Sequence, residues 1–205
     1  DHYYPQELHN RQKGFCYDLK YPALTLHGSS SIVEKYYDYM AGNGQYLIDQ
    51  GRVALSVMKP YEKYKIGNFE VIPLPATHGT VSPFVYVISK NGKTIFYLND
   101  SGVLKQPVVD WLAKSGIKFD LVSYDCTMGM RDTYNDWGEN ASHMGLPSVI
   151  MMREKFKAAG VYKDDTVDIV THFSHNGPKV GYGDFKPLAE DAGFILAYDG
   201  FKIEV

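Results

Sequence analysis

Two runs rich in β-branched and aromatic residues, Phe84-Val85-Tyr86-Val87-Ile88 and Thr94-Ile95-Phe96-Tyr97-Leu98, flank the dipeptide Asn91-Gly92. Asn-Gly tolerates the positive φ of a tight turn, so this stretch is committed to an antiparallel hairpin. The texture differs on its two sides. Upstream, residues 23–26, 52–58 and 69–74 read as strands, and Ser30 or Ser31 caps a helix running to Met40, where Gly42 and Gly44 end it. Residues 4–11 read as a short helix with Pro5 early, where its missing N–H costs nothing. Downstream, strand and helix alternate. A helix over 106–114 precedes a strand over 119–124. A second helix over 147–159 carries Val149, Met152 and Phe156 on one face and stops at Gly160. A strand over 167–171, a short helix over 187–191 and strands over 194–197 and 201–205 complete the chain. Mostly antiparallel sheet followed by alternating elements predicts a mixed α/β layered domain. With no repeat, low-complexity tract or linker-like run, residues 1–205 are read as one domain.

Composition narrows the function classes. At 44% apolar and 22% charged residues the chain is ordinary globular protein. Its 21 basic and 24 acidic residues give a net charge of −3. That balance disfavours nucleic acid as a partner held by counterion release, though it leaves room for a local basic groove. No apolar run approaches the roughly 20 residues that span a bilayer, so no membrane partner is expected. Cys16 and Cys126 are too few and too far apart for a disulfide scaffold, and they read as reduced, cytoplasmic thiols. The chain opens with Asp1-His2 rather than Met. A targeting segment further upstream therefore stays possible.

The chemistry-bearing residues sit where strands stop. His78, Asp100, His172 and His175 each follow an apolar strand candidate, and His143 lies in a polar loop just ahead of the helix over 147–159. Strand ends are where a rigid sheet hands side chains to one point. Imidazole with carboxylate suits zinc, iron or manganese, and a carboxylate can bridge two ions. A lone histidine after a strand is more often a hydrogen-bonded loop residue. Several at strand ends, with Asp100 in Tyr-Leu-Asn-Asp-Ser-Gly, favour a site.

The ordered motifs Pro-Leu-Pro-Ala-Thr-His78, Phe-Tyr-Leu-Asn-Asp100-Ser-Gly, Ser-His143-Met-Gly, Thr-His172-Phe-Ser-His175 and Tyr198-Asp199-Gly200 span the chain. In that order they resemble the metallo-β-lactamase-fold hydrolases. The likeness is greatest to their phosphodiesterase branch, which includes phosphoribosyl cyclic-phosphate phosphodiesterases and is akin to transfer-RNA 3′-processing endonucleases. Asp1-His2 matches the last two residues of that family's His-x-His-x-Asp-His motif. The resemblance implies an αββα four-layer sandwich of the metallo-β-lactamase type whose N-terminal β segment is absent from this chain. It implies two divalent metal ions (zinc, manganese or iron) roughly 3.5–4 Å apart. Asp1, His2 and His172 would hold one ion and His78 the other, with Asp100 bridging them. His143 would touch the scissile phosphate and protonate the leaving oxygen. An N-terminal fragment of the same polypeptide is expected to supply the leading His-x-His.

Other residues admit two readings. His175 is either a substrate or outer-layer group or a structural loop residue. Asp125 and Asp199 either orient ligand imidazoles or act as turn and capping aspartates. Tyr134, Trp137 and Tyr182 fall in long loops and read as packing. Cys126 reads as a buried thiol.

The expected function is cleavage of a phosphodiester in a small, cyclic nucleotide- or sugar-phosphate-like substrate, by a homo-oligomeric enzyme. Two alternatives stay open. One is a transfer-RNA-processing type of metallo-endonuclease. The other is a metal-poor domain or fragment with an incomplete site.

Overall fold

The computed structural model of the protein describes residues 23–39, 43–79, 82–174 and 181–205. The chain divides into two compact units, Asp1–Lys59 with Val81–Phe84, and Pro60–Thr80 with Val85–Val205.

In the first unit, β1 (Leu24–Gly28) and β2 (Val53–Val57) pair in parallel, with Leu24 opposite Val53 and Gly28 opposite Val57. Helices α1 (Ser30–Tyr39) and α2 (Asn43–Asp49) lie between them in sequence. A parallel pair needs such a crossover, and it is the one departure among the described pairings from a first half that is otherwise antiparallel, as expected. Tyr36, Leu47 and Val53 form a small core, and the Tyr36 hydroxyl donates to the Gly44 carbonyl at 3.0 Å. The sequence reading ended one helix at Gly42 and Gly44 but missed that another begins between them.

The second unit is built on a seven-stranded sheet. Its strands are β3 (Tyr64–Ile66), β4 (Phe69–Pro75), β5 (Phe84–Lys90), β6 (Lys93–Leu98), β7 (Phe119–Asp125), β8 (Tyr162–Thr171) and β9 (Ile195–Leu196), which lie side by side in sequence order. β5 and β6 form the expected hairpin around Asn91-Gly92, with both turn residues at positive φ. From β6 to β9 every pairing is parallel. Parallel strands send their C-terminal ends to the same edge of the sheet, and that edge carries the site.

The crossovers between the parallel strands contain α3 (Gln106–Ser115), α4 (Thr133–Trp137), α5 (Leu146–Ala158) and α6 (Tyr182–Asp191). α3 buries Val108, Val109 and Leu112, and α5 buries Leu146, Val149, Met152 and Phe156 at helical spacing. Their apolar faces join Phe96, Phe119, Leu98, Val122 and Val170 in one core, with Phe96 and Phe119 stacked at 5.0 Å between ring centres. β7, central in the parallel portion, is buried at all seven positions.

Three of its residues are nevertheless polar, and each has a partner. Ser123 donates to the Asn99 side chain at 2.8 Å. Asp120 accepts from the Thr94 amide and from Lys163. Burial alone would raise the Asp120 pKa, but Lys163, Thr94 and Lys93 bring it down to about 2. The third, Asp125, belongs to the site.

Four expectations need correction. β8 begins five residues before the expected strand, because its polar start (Lys163-Asp164-Asp165) and a register shift opposite Phe119–Leu121 hide the alternation. α6 begins at Tyr182 and keeps Pro187 inside it, since burial of Phe185 and Ala189 one turn apart outweighs the bond that proline forgoes. Residues 201–205 form no strand; Phe201 turns back to donate its amide to the Tyr198 carbonyl. Tyr134 and Trp137 lie in α4, and Tyr182 opens α6, rather than in long loops. The helix expected over 4–11 lies outside the described residues. No helix among the described residues is long and apolar enough to cross a membrane.

Candidate metal centre

Four loops meet at the C-terminal edge of the sheet. His78 follows β4, Asp100 follows β6, Asp125 ends β7, and His172 follows β8. His143 comes from the loop ahead of α5. Backbone bonds tie these loops together. The Gly102 amide donates to the Thr77 carbonyl at 2.8 Å, and the Thr77 amide donates to the Ser101 hydroxyl at 3.0 Å, which fixes the His78 loop against the Asp100 turn. The Cys126 amide donates to the Thr171 carbonyl, and the Met128 amide to the Met144 carbonyl. These bonds join the ends of β7 and β8 to the loop carrying His143.

The functional atoms converge. Nε2 of His78 lies 3.2 Å from Oδ1 of Asp100 and 3.3 Å from Nε2 of His143. The same Asp100 oxygen lies 3.9 Å from Nε2 of His172. Asp100 and His172 both adopt positive φ, at 55° and 66°. Non-glycine residues are uncommon there, and such strain collects where the surrounding structure over-determines a side chain's position.

Asp125 lies behind this face with its side chain fully buried. Its Oδ2 accepts from Nδ1 of His143 at 2.9 Å, from the Ser101 amide at 3.1 Å and from Nδ1 of His172 at 3.3 Å. Its Oδ1 accepts from the amides of Thr127 and Met144. Burial alone would raise the Asp125 pKa, yet the hydrogen bonds from His143, His172 and Thr127 hold it at about 2. Ligand atoms of Asp100, Asp125, His143 and His172 all lie within 4.8 Å of one another. The oxygens of Asp125 already accept from His143 and from the Ser101, Thr127 and Met144 amides, which suits this carboxylate to orienting imidazoles rather than to binding an ion directly.

The Thr127 hydroxyl donates to the His172 carbonyl at 2.7 Å, so its oxygen is left to accept from Nδ1 of His172 at 2.8 Å. The proton of His172 is thereby placed on Nδ1, and the Nε2 lone pair faces Asp100. The hydrogen bond to Asp125 raises the His172 pKa, against the opposing effect of burial. His78 is shifted down, chiefly by burial, with Asp100 opposing.

The donor set fits a divalent ion of the zinc, iron or manganese type. Its donors are imidazole nitrogens and one carboxylate oxygen, with two of the imidazoles fixed from behind. A tetrahedral zinc with arms of about 2.0–2.1 Å has ligand–ligand edges of roughly 3.3–3.4 Å. The His78–His143 and His78–Asp100 separations match that spacing.

The protein is similar to solved structures that share this architecture. The metallo-β-lactamase fold protein YhfI from Bacillus subtilis superposes with a TM-score of 0.66 at 17% identity, over 98% of this chain and 73% of that one. The chain has the metallo-β-lactamase fold. Two further proteins of similar structure are a diphosphatase from the PhnP family (TM-score 0.56, 18% identity, 88% of this chain and 57% of that one) and zinc-bound PqqB from Methylobacterium extorquens (0.62, 13%, 89% and 65%). The chain thus spans 57% to 73% of the length of these metallo-β-lactamase-fold neighbours. No protein-family model and no curated protein matches it by sequence.

Of the residues singled out from the sequence, the metallo-β-lactamase fold brings His78, Asp100, Asp125, His143 and His172 into one bonded set. Asp199 is exposed in the turn after β9, outside that set. Asp1, His2 and His175 lie outside the described residues. Sequence reasoning missed Thr127 and Ser101. The only signal for either was its place, two residues after Asp125 in one case and directly after Asp100 in the other.

Proposed function

We propose that the protein is a metal-dependent hydrolase that cleaves a phosphodiester, in a small substrate of the cyclic nucleotide or sugar-phosphate kind. The observation that carries this reading is the meeting of His78, Asp100, His143 and His172 at one edge of the sheet, with Asp125 behind two of the imidazoles. A zinc-bound neighbour and a diphosphatase among the proteins of like fold support it. His78, Asp100 and His172 would hold metal, and the motif resemblance implies that Asp1, His2 and a leading His-x-His from an N-terminal fragment supply the remaining ligands of a two-ion centre. When bound, such ions would supply a nucleophilic water at neutral pH and offset the negative charge on the phosphoryl oxygens.

The chain's own residues account for the remaining chemistry. Asp125 holds Nδ1–H of His143, so a proton on Nε2 requires the imidazolium, whose charge faces the Asp125 carboxylate. From that position His143 can protonate the leaving alkoxide. Asp100 Oδ1 lies within 3.9 Å of His78, His143 and His172, and as the resemblance implies it would be the carboxylate shared by the ions. The net charge of −3 favours a small substrate over a polynucleotide. The buried free thiol of Cys126, its pKa raised chiefly by burial, supports a reducing, cytoplasmic setting.

One observation favours a second role for His143. Its Nε2 stands 3.3 Å from that of His78, a ligand–ligand spacing. His143→Gln separates the two roles. As the acid, the variant keeps its metal and loses turnover on alkyl leaving groups far more than on p-nitrophenolate, which needs no proton. As a ligand, it loses metal. For the function itself, metal-loaded protein is assayed on bis-p-nitrophenyl phosphate, cyclic nucleotides, a ribosyl cyclic phosphate and a precursor transfer RNA. Cleavage of the small diesters is the expected result. Cleavage of the RNA alone makes the protein a nuclease. No cleavage and no bound metal by elemental analysis makes the site incomplete.

A further inference from the structure

At the end of β8 that leads into His172, the second unit holds an open apolar pocket of about 150 Å³, lined by Phe173, Tyr182, Phe185 and Leu196. We propose that this pocket is a substrate subsite that receives one planar six-membered aromatic ring, a pyrimidine base or an aryl group, carried by the phosphoester. The proposal rests on the hydrolase reading and names the substrate class of that site.

Three observations carry it. The first is position. Phe173 is bonded directly to His172, and Leu196 sits on β9 opposite Val170, two residues before His172 on the chain. The pocket wall and the metal face therefore share the end of β8.

The second is size. An engineered protein cavity of about 150 Å³ with apolar walls binds benzene. This pocket has the same volume, enough for one ring but not for a whole nucleotide, whose phosphate and sugar would remain outside toward the histidines.

The third is the wall itself. Phe173 and Tyr182 are 42% and 45% exposed although aromatic, whereas Phe185 and Leu196 behind them are buried. Phe173 meets Phe185 edge-on at 5.6 Å, and Tyr182 meets Tyr198 edge-on at 5.9 Å. Rings braced this way leave faces and edges free for another ring, a contact worth more than its buried area alone.

The test measures binding and cleavage separately. Phenyl phosphate and methyl phosphate are titrated calorimetrically into the metal-loaded full chain, alone and as Tyr182→Ala and Phe173→Ala. Cytidine 2′,3′-cyclic phosphate and a base-free ribosyl cyclic phosphate are then compared as substrates. Phenyl phosphate is expected to bind at least tenfold tighter than methyl phosphate. Tyr182→Ala should reduce that ratio to threefold or less while leaving methyl phosphate affinity and metal content unchanged, and the preference for the cytidine ester should fall through KM.

Phe173→Ala also neighbours a ligand, so its metal content is read first and Tyr182→Ala decides if metal is lost. Equal binding of the two monoesters, or a ratio that survives Tyr182→Ala, overturns the subsite and leaves the hydrolase reading standing. Tyr182-dependent binding of phenyl phosphate with no diester cleaved overturns the hydrolase reading and keeps the pocket. If neither ester binds, both fall. A preference for the cytidine ester identifies a pyrimidine as the ring, and a preference limited to phenyl esters identifies an aryl group.

Discussion

The buried carboxylate of Asp125 accepts the Nδ1 proton of His143 at 2.9 Å, and the same oxygen lies 3.3 Å from Nδ1 of His172. One side chain therefore sets the tautomer of two imidazoles that arrive from different crossovers. Losing a partner of this kind typically costs 10–100-fold in metal affinity or activity. Asp125→Asn is expected to weaken metal binding by that factor or more, because both imidazoles lose the charge that orients them. A competition titration with a chelating indicator measures it. Wild-type affinity in this variant would show that the carboxylate is not the orienting group.

Thr127 completes the hold on His172 through both its hydroxyl proton and its oxygen. Thr127→Val keeps the shape and removes both bonds, each of which contributes about 1 kcal/mol. The expected result is a lower midpoint of unfolding together with roughly tenfold weaker metal binding. Thr127→Ser, which keeps the hydroxyl, should restore most of both. A serine variant as weak as the valine variant would mean that the methyl group, not the hydroxyl, matters.

Gly102 joins the Asp100 turn to the loop carrying His143 by sheer proximity. A Cβ built there would stand 1.7 Å from the Ala141 carbonyl oxygen, backbone that cannot rotate away. Gly102→Ala must therefore displace one loop, at about 1–3 kcal/mol or more for overpacking, and separate Asp100 from His143. Thermal unfolding and metal content should both fall. Gly183→Ala in α6, where a Cβ meets nothing within 4 Å, is the contrast and should stabilise by about 0.4–1 kcal/mol.

These residues also show what the sequence made legible. The hairpin at Asn91-Gly92, the two amphipathic helices and the apolar strands are legible as local patterns, and His78, Asp100 and His172, each read as following a strand, come together where β4, β6 and β8 end. Thr127 was invisible, since a threonine after a strand has no periodic or compositional mark and gains meaning only when His172 lies against it. Asp125 could be suspected as an orienting carboxylate, but not that it serves two imidazoles, because the second arrives 47 residues later in the chain. The start of β8 and the body of α6 were missed for a related reason. In both, pairing and burial from outside the segment override its own pattern.

Within β8, four residues before His172 and outside the histidine cluster, Asp168 accepts a hydrogen bond from the Tyr162 hydroxyl, which also meets the Tyr124 hydroxyl at 2.6 Å. Burial raises the Asp168 pKa to about 6, although Tyr162, Arg153 and Lys157 favour the charged form. An acid whose folded pKa exceeds its unfolded value near 4 holds more protons folded than unfolded between those limits. The linkage slope is then negative. Stability from this group is full below about pH 4 and declines as pH rises through 6, by a total on the order of 3 kcal/mol. Asp168→Asn cannot ionise, so it should flatten this segment of the profile and match or exceed wild-type stability at pH 7. Denaturant midpoints from pH 4 to 7 for both proteins measure the effect. An identical fall in the two would assign the pH dependence to other groups.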